Sequence, residues 1–251
     1  MFDSTQPFGA ADLMRVSAFR RHLEDTVRDG DASAGATRMS ALNPSLLQDL
    51  MRFDSSARTG EGIEVLEVMA AAVRHARPLL LQLQHDYRVV PLTLLPADRL
   101  VHCPLPVPQL LALRLPELRV LHVEPARLKP PGLRGDLPEG ASAEYGPLGP
   151  VLWEMALRGS RGELLPEIAG IAAYRVAPGA ALAGLDLTGS LAAAVERLRH
   201  QTSNLREIAT WPGFDRERAM RMLNGLYLHA ALMVSRTHPA AINDDWQPPG
   251  R

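Results

Sequence analysis

The chain has 251 residues, of which 46% are hydrophobic, 22% charged and 5% aromatic, so it can bury a core and is too mixed to be fibrous or wholly disordered. Its basic side is 26 Arg and the single Lys129, offset by 28 acids to a net charge of −1, which excludes the whole-molecule field of a general nucleic-acid or acidic-membrane binder. The longest runs without a charged residue, Leu100 to Leu113 and Met222 to Ser235, have 14 residues each and are too short to span a bilayer.

Two amphipathic stretches open the chain, one around Leu13, Val16, Phe19 and Leu23 and one around Leu46, Leu47, Leu50 and Met51. Their spacing predicts helices, separated by a Gly, Ser, Asp and Ala-rich loop from Asp29 to Ser40. A third helix is predicted over Ile63 to Arg77, with Ile63, Leu66, Ala70 and Val73 on one face and Pro78 closing it. The period then changes to two. Leu79, Leu81 and Leu83 alternate with Leu80, Gln82 and Gln84, His85-Asp86-Tyr87 breaks the run, and Val90, Leu92 and Leu94 resume it, which is the pattern of a β-hairpin. Pro91 has no ladder donor, so the second strand should be an edge, or Pro91 should face away from its partner. A short segment from Leu100 to Cys103, a helix from Pro108 to Leu113 and a strand-like run from Leu118 to Val123 complete an N-terminal α+β domain, residues 1–123. The string Pro104-Leu105-Pro106-Val107-Pro108 favours an extended polyproline-type conformation, read as a rigid connector rather than a docking strip.

Residues 124–150 hold six Pro and five Gly with few large apolar side chains, and read as a linker or a surface arm. A helical domain should follow over 151–240. It opens with Val151, Leu152, Met155 and Ala156 on one face beside Trp153, is stopped by Gly159 and Gly162, and continues into a short strand from Ile171 to Val176. Residues 241–251 should fray as a disordered tail.

The most specific spacing lies between Leu187 and Pro239. Leu191, Ala194, Val195 and Leu198 stripe one helix, Ser203 or Asn204 can cap a short second helix, and Trp211-Pro212-Gly213-Phe214 supplies a tight turn. Asp215 can cap a third helix with Ala219, Met222, Leu223, Leu226 and Ala230 inward and Arg216, Glu217, Met220, Arg221 and Asn224 outward, before a strand at Leu232-Met233-Val234. This order resembles the winged helix-turn-helix superfamily, as in small modules that end some bacterial signalling proteins. The string Leu226-Tyr227-Leu228-His229-Ala230-Ala231-Leu232 carries the resemblance from the third helix into the wing, whose second strand must come from elsewhere, with 171–176 the candidate.

The resemblance implies a binding helix. Arg216, Met220, Arg221 and Asn224, with Arg236 from the wing, are the expected partner-binding residues. On DNA, Arg216 and Arg221 would meet guanine edges or phosphate and Asn224 an adenine, but seven Arg against five acids between Asp186 and Pro239 is a weak surplus, so a protein partner is the better match. No other spacing points to chemistry. Cys103 and His102 are adjacent on an extended segment and so point to opposite faces, and His85, His102 and His122 match no compact metal-ligand motif. Gly159-Ser160-Arg161-Gly162 lacks the Gly-Lys-Ser/Thr ending of a phosphate loop. The expected reading is therefore a regulatory or adaptor protein with no catalytic, metal or cofactor residues, with a DNA-binding regulator and an enzyme of the N-terminal domain as alternatives. One cysteine, and an N-terminal stretch with Asp3 and no basic lead into an apolar run, point to the cytoplasm and to no membrane partner.

Overall fold

The computed structural model describes residues 13–28, 44–59, 63–128 and 145–241. The predicted Asp29–Ser40 loop and the tail beyond Ala241 lie outside them. The fold is α+β, and the chain divides into two compact units, Met1–Leu148 and Gly149–Arg251.

In the first unit, α1 (Val16–Arg28), α2 (Pro44–Thr59) and α3 (Val65–His75) precede the sheet. α3 is apolar over so much of its circumference that Val65, Leu66, Val68 and Met69 through Ala72 are all buried, a wider face than the four-residue stripe predicted. It ends where Ala76 turns left-handed (φ 49°), its N–H bonding back into the last turn, two residues before Pro78. α2 buries Leu46, Leu50 and Phe53, whereas Met51, expected in that stripe, is 61% exposed. Ion pairs fasten α2 to α3: Arg52 to Glu67 at 2.6 Å, and Asp49 to both Arg74 (2.6 Å) and His75 (2.9 Å). Burial opposes ionisation of Asp49, but the hydrogen bonds from His75 and Arg74 outweigh it and hold the carboxyl below its usual range.

The sheet strands are β1 (Leu79–His85), β2 (Arg88–Leu95), β3 (Leu100–His102), β4 (Arg119–Pro125) and β5 (Tyr145–Pro147), with a short helix α4 (Val107–Ala112) between β3 and β4. Their order is β4-β1-β2-β3-β5, antiparallel throughout. The predicted hairpin is β1–β2, turned at Asp86 with φ 52°. β2 is interior rather than an edge, and it tolerates Pro91 because β3 pairs only with Thr93 to Leu95 and Arg15 bridges only Arg88, so that among the described residues no strand pairs with Pro91 on that side. Leu79, Leu81 and Leu83 are completely buried on one face, and Leu80, Gln82 and Gln84 point to the other. The extended proline string ends at Pro106 (φ −51°, ψ 142°), because Val107 and Pro108 already begin α4, where a proline costs no hydrogen bond.

The 124–150 segment is not a simple linker. Glu124 and Pro125 finish β4, and Tyr145 to Pro147 form β5, which pairs with Leu100 to His102 and so belongs to the first sheet. Residues 129–144 lie outside the described residues.

In the second unit, α5 (Leu148–Arg158) leads through an irregular stretch to β6 (Ala173–Val176), then α6 (Gly189–His200), β7 (Ser203–Asn204), α7 (Leu205–Ala209), α8 (Arg216–Leu228) and β8 (Leu232–Ser235). The strands form a sheet in the order β7-β6-β8, so the 171–176 run does pair with the strand after α8, Arg175 opposite Met233. Both predicted caps are present: Asn204 Oδ1 accepts from the Glu207 N–H at 2.8 Å and Asp215 Oδ1 from the Arg218 N–H at 2.7 Å. The turn before α8 closes through Phe214 N–H to Trp211 O (3.0 Å), with Gly213 at φ 77° following Pro212. Ala230 is exposed and left-handed (φ 56°) rather than a core position, because α8 has already ended and the Ala231 N–H reaches back to Leu226 O.

Candidate functional site

α8 is divided along its length. Its first turns expose Arg216, Glu217 and Arg218, with Met220 and Arg221 half-buried; from Met222 to Leu226 every residue is buried, and Leu228 with them. The cause is a close helix crossing. At Gly225 an added Cβ would lie 2.6 Å from the Trp153 ring of α5, so the glycine lets the two backbones approach and leaves no open face there.

This burial decides the fate of the five expected partner-binding residues. Asn224 is not outward: it is 0% exposed, its Oδ1 accepts from the Leu165 N–H at 2.9 Å and its Nδ2 donates to Glu163 O at 2.8 Å. The side chain stands in for a missing strand, pairing the backbone of an irregular segment with α8. Arg221 folds back on its helix. Its guanidinium meets Glu217 at 2.7 Å and donates to Leu157 O (3.1 Å) and Gly159 O (2.8 Å), the unpaired carbonyls where α5 ends. Arg236 donates to Ala169 O at 2.9 Å, and to Ile171 O and Glu167 O at 3.4 and 3.3 Å, tying the end of β8 to the same irregular stretch. Below it Tyr174 is buried and donates to Ile168 O at 2.7 Å; burial pushes its phenol above the usual value, with the Arg236 charge acting the other way. Arg216 makes no hydrogen bond or ion pair among the described residues, and Met220 beside it is half-buried. The exposed site therefore narrows to Arg216 and Met220 at the start of α8.

Periodicity placed Asn224 outward because i, i+4 from Met220 continues an outward stripe. What it lacked was any sign that the 163–165 backbone would need a side-chain partner. Gly225 was the available signal, since a glycine inside a helix marks close approach.

No protein-family model, curated protein or solved structure matches this chain.

The first unit carries a second feature that the sequence did not single out. A groove of about 790 Å3 lies between the α1 segment and the sheet face opposite the buried leucines. Phe19 and Leu23 form one wall, and Leu80, Val89, Pro91 and Thr93 lie on the floor. A β-bulge shapes that floor: the register jumps from Leu83 opposite Val120 to Gln82 opposite His122, so Leu121 is skipped. Val120 stays on the core face, and His122 and Glu124 turn to the groove beside Gln82 and Leu80. His102 also lines the groove and meets Tyr145 edge-on at 4.8 Å, while Cys103, the next residue, is buried. The two therefore diverge as an extended strand requires. His85 stands elsewhere, at the hairpin end, 3.6 Å from Asp86. Among the described residues no three His, Cys, Asp or Glu side chains gather closely enough to hold a metal, and no helix is long and apolar enough to cross a membrane.

Proposed function

We propose that this chain is a non-catalytic regulatory or adaptor protein of the cytoplasm, which binds a protein partner through its winged helix-like C-terminal unit at the exposed start of α8. One observation carries the choice of a protein over DNA. Asn224, the residue that would read an adenine, is sealed beneath the surface with Oδ1 and Nδ2 both bonded to backbone, and Arg221 is held by part-buried carbonyls at the end of α5. From Met222 to Leu226 α8 is buried, so its open part is its first turns and Tyr227, none of which offers the amide that would read an adenine. Arg216 and Met220 offer one free cation beside a flexible apolar side chain, which suits an acidic and apolar patch on a protein.

Affinity purification of the full chain from its native cell, with and without nuclease, tests this reading. A partner protein retained equally in both preparations is the expected result. Recovery that depends on intact nucleic acid, together with duplex DNA binding that weakens steeply with salt, would establish the DNA-binding alternative instead.

A further inference from the structure

We propose that the groove of the first unit is a binding site for a small apolar cation of the alkyl-amine class, separate from the α8 surface and independent of it. The groove has the volume of a ligand site, about 790 Å3, and its lining is mainly apolar, with Phe19, Leu80, Val89 and Pro91 among the contacts offered to a hydrocarbon chain. Within this lining Gln82, His122 and Glu124 stand together on neighbouring strands, Gln82 directly opposite His122 and Glu124 opposite Leu80.

All three are half-buried, and none makes a side-chain hydrogen bond or an ion pair among the described residues. A carboxylate drawn partly out of water into an apolar groove is costly unless a cation or donors meet it. Among the described residues Glu124 meets neither, although its neighbours could supply a complete cradle for a cation that arrived from outside. An ammonium group has three donors: it can give one to the Glu124 carboxylate and others to the Gln82 carbonyl and a His122 ring nitrogen. The attached chain would then lie along Leu80 and Val89 under Phe19.

The other titratable groups facing the groove are His22, His102 and Arg127. Arg127 is exposed, past the end of β4, and forms no ion pair with Glu124, so water screens it where an amine head group would sit. Among the described lining residues Glu124 is the only carboxylate, and it stands on the floor. Selectivity follows from sign: an alkyl carboxylate of the same length would bring its charge against Glu124, whereas the amine complements it.

The test uses the full chain at pH 8 and two matched probes, octylamine and octanoate, titrated by calorimetry and by amide chemical-shift mapping. Octylamine should bind at least about tenfold more tightly than octanoate and shift the amides of Leu80 to Gln82 and His122 to Glu124. Glu124→Gln, which keeps the shape and removes the charge, should weaken octylamine by about tenfold or more and leave octanoate no weaker. The shift map on the unaltered chain supplies an answer even if that variant fails to fold. Octanoate binding as tightly as octylamine, shifts confined to other residues, no binding of octylamine, or an unchanged affinity in a folded Glu124→Gln chain would each overturn the proposal.

Discussion

On α8 and just past β8 of the second unit, Asn224, Arg221 and Arg236 are all engaged by backbone, whereas on β1 and β4 of the first unit Gln82, His122 and Glu124 meet no side-chain partner among the described residues. The difference follows from what each set lies beside. α5 stops at Arg158, and much of the chain between it and β6 runs outside any ladder, so its carbonyls and N–H groups take side chains from α8 and β8. In the five-stranded sheet the ladder already pairs the backbone, so it makes no demand on Gln82, His122 and Glu124. A residue type that suggests binding is therefore informative only once the backbone demand around it is known.

The sharpest way to break this contrast is Asn224→Ala. It would strand a buried N–H and a part-buried carbonyl, and should cost roughly 2–4 kcal/mol in equilibrium denaturation. A loss below about 0.5 kcal/mol would return Asn224 to the surface and to a binding role. Gly225→Ala comes next. Alanine gains about 1 kcal/mol of helix propensity but drives its methyl into the fully buried Trp153 ring, and a net loss of about 1–2 kcal/mol is expected from chemical denaturation.

Asp49→Ala probes the first unit, where charge is used between helices. It should lower stability at pH 7 by about 1–2 kcal/mol, since Arg74 is partly exposed and the pair is partly screened. The folded Asp49 carboxyl lies below its unfolded value, so its contribution is present above about pH 4 and is lost as pH falls through the folded value. Urea titrations across this range should show a flatter acid limb for the variant. Arg236→Ala should cost least, about 0.5–1.5 kcal/mol, because its bonds are exposed and to neutral carbonyls. It should also lift the Tyr174 titration further, read by ultraviolet absorbance, since the Arg236 charge now holds it down.

Much of the fold was legible from local pattern. The alternation of Leu79 to Leu83 and of Val90 to Leu94 sets the β1–β2 hairpin, and Asn204 and Asp215 mark two helix starts, because each signal is complete within a few residues. β5 was hidden in a Pro and Gly-rich stretch because its three residues hold no hydrophobic alternation and exist as a strand through pairing with β3. The bulge at Leu121 was equally invisible: read at period two, Val120, His122 and Glu124 share a face, and pairing with β1 separates Val120 from the other two. In the candidate site, the exposure of Arg216 could be read from helical spacing, but the burial of Asn224 depends on Glu163 and Leu165, some 60 residues earlier in the chain.

On the proposed function, α8 meets its partner at its first turns and serves the core with the rest. Capture of the partner by the unaltered chain and by an Arg216→Glu, Met220→Glu double variant, both nuclease-treated and both shown to unfold at the same denaturant concentration, tests it most directly. At least about a tenfold loss of the captured protein is expected in the variant. Undiminished recovery would contradict it and place the binding surface away from α8.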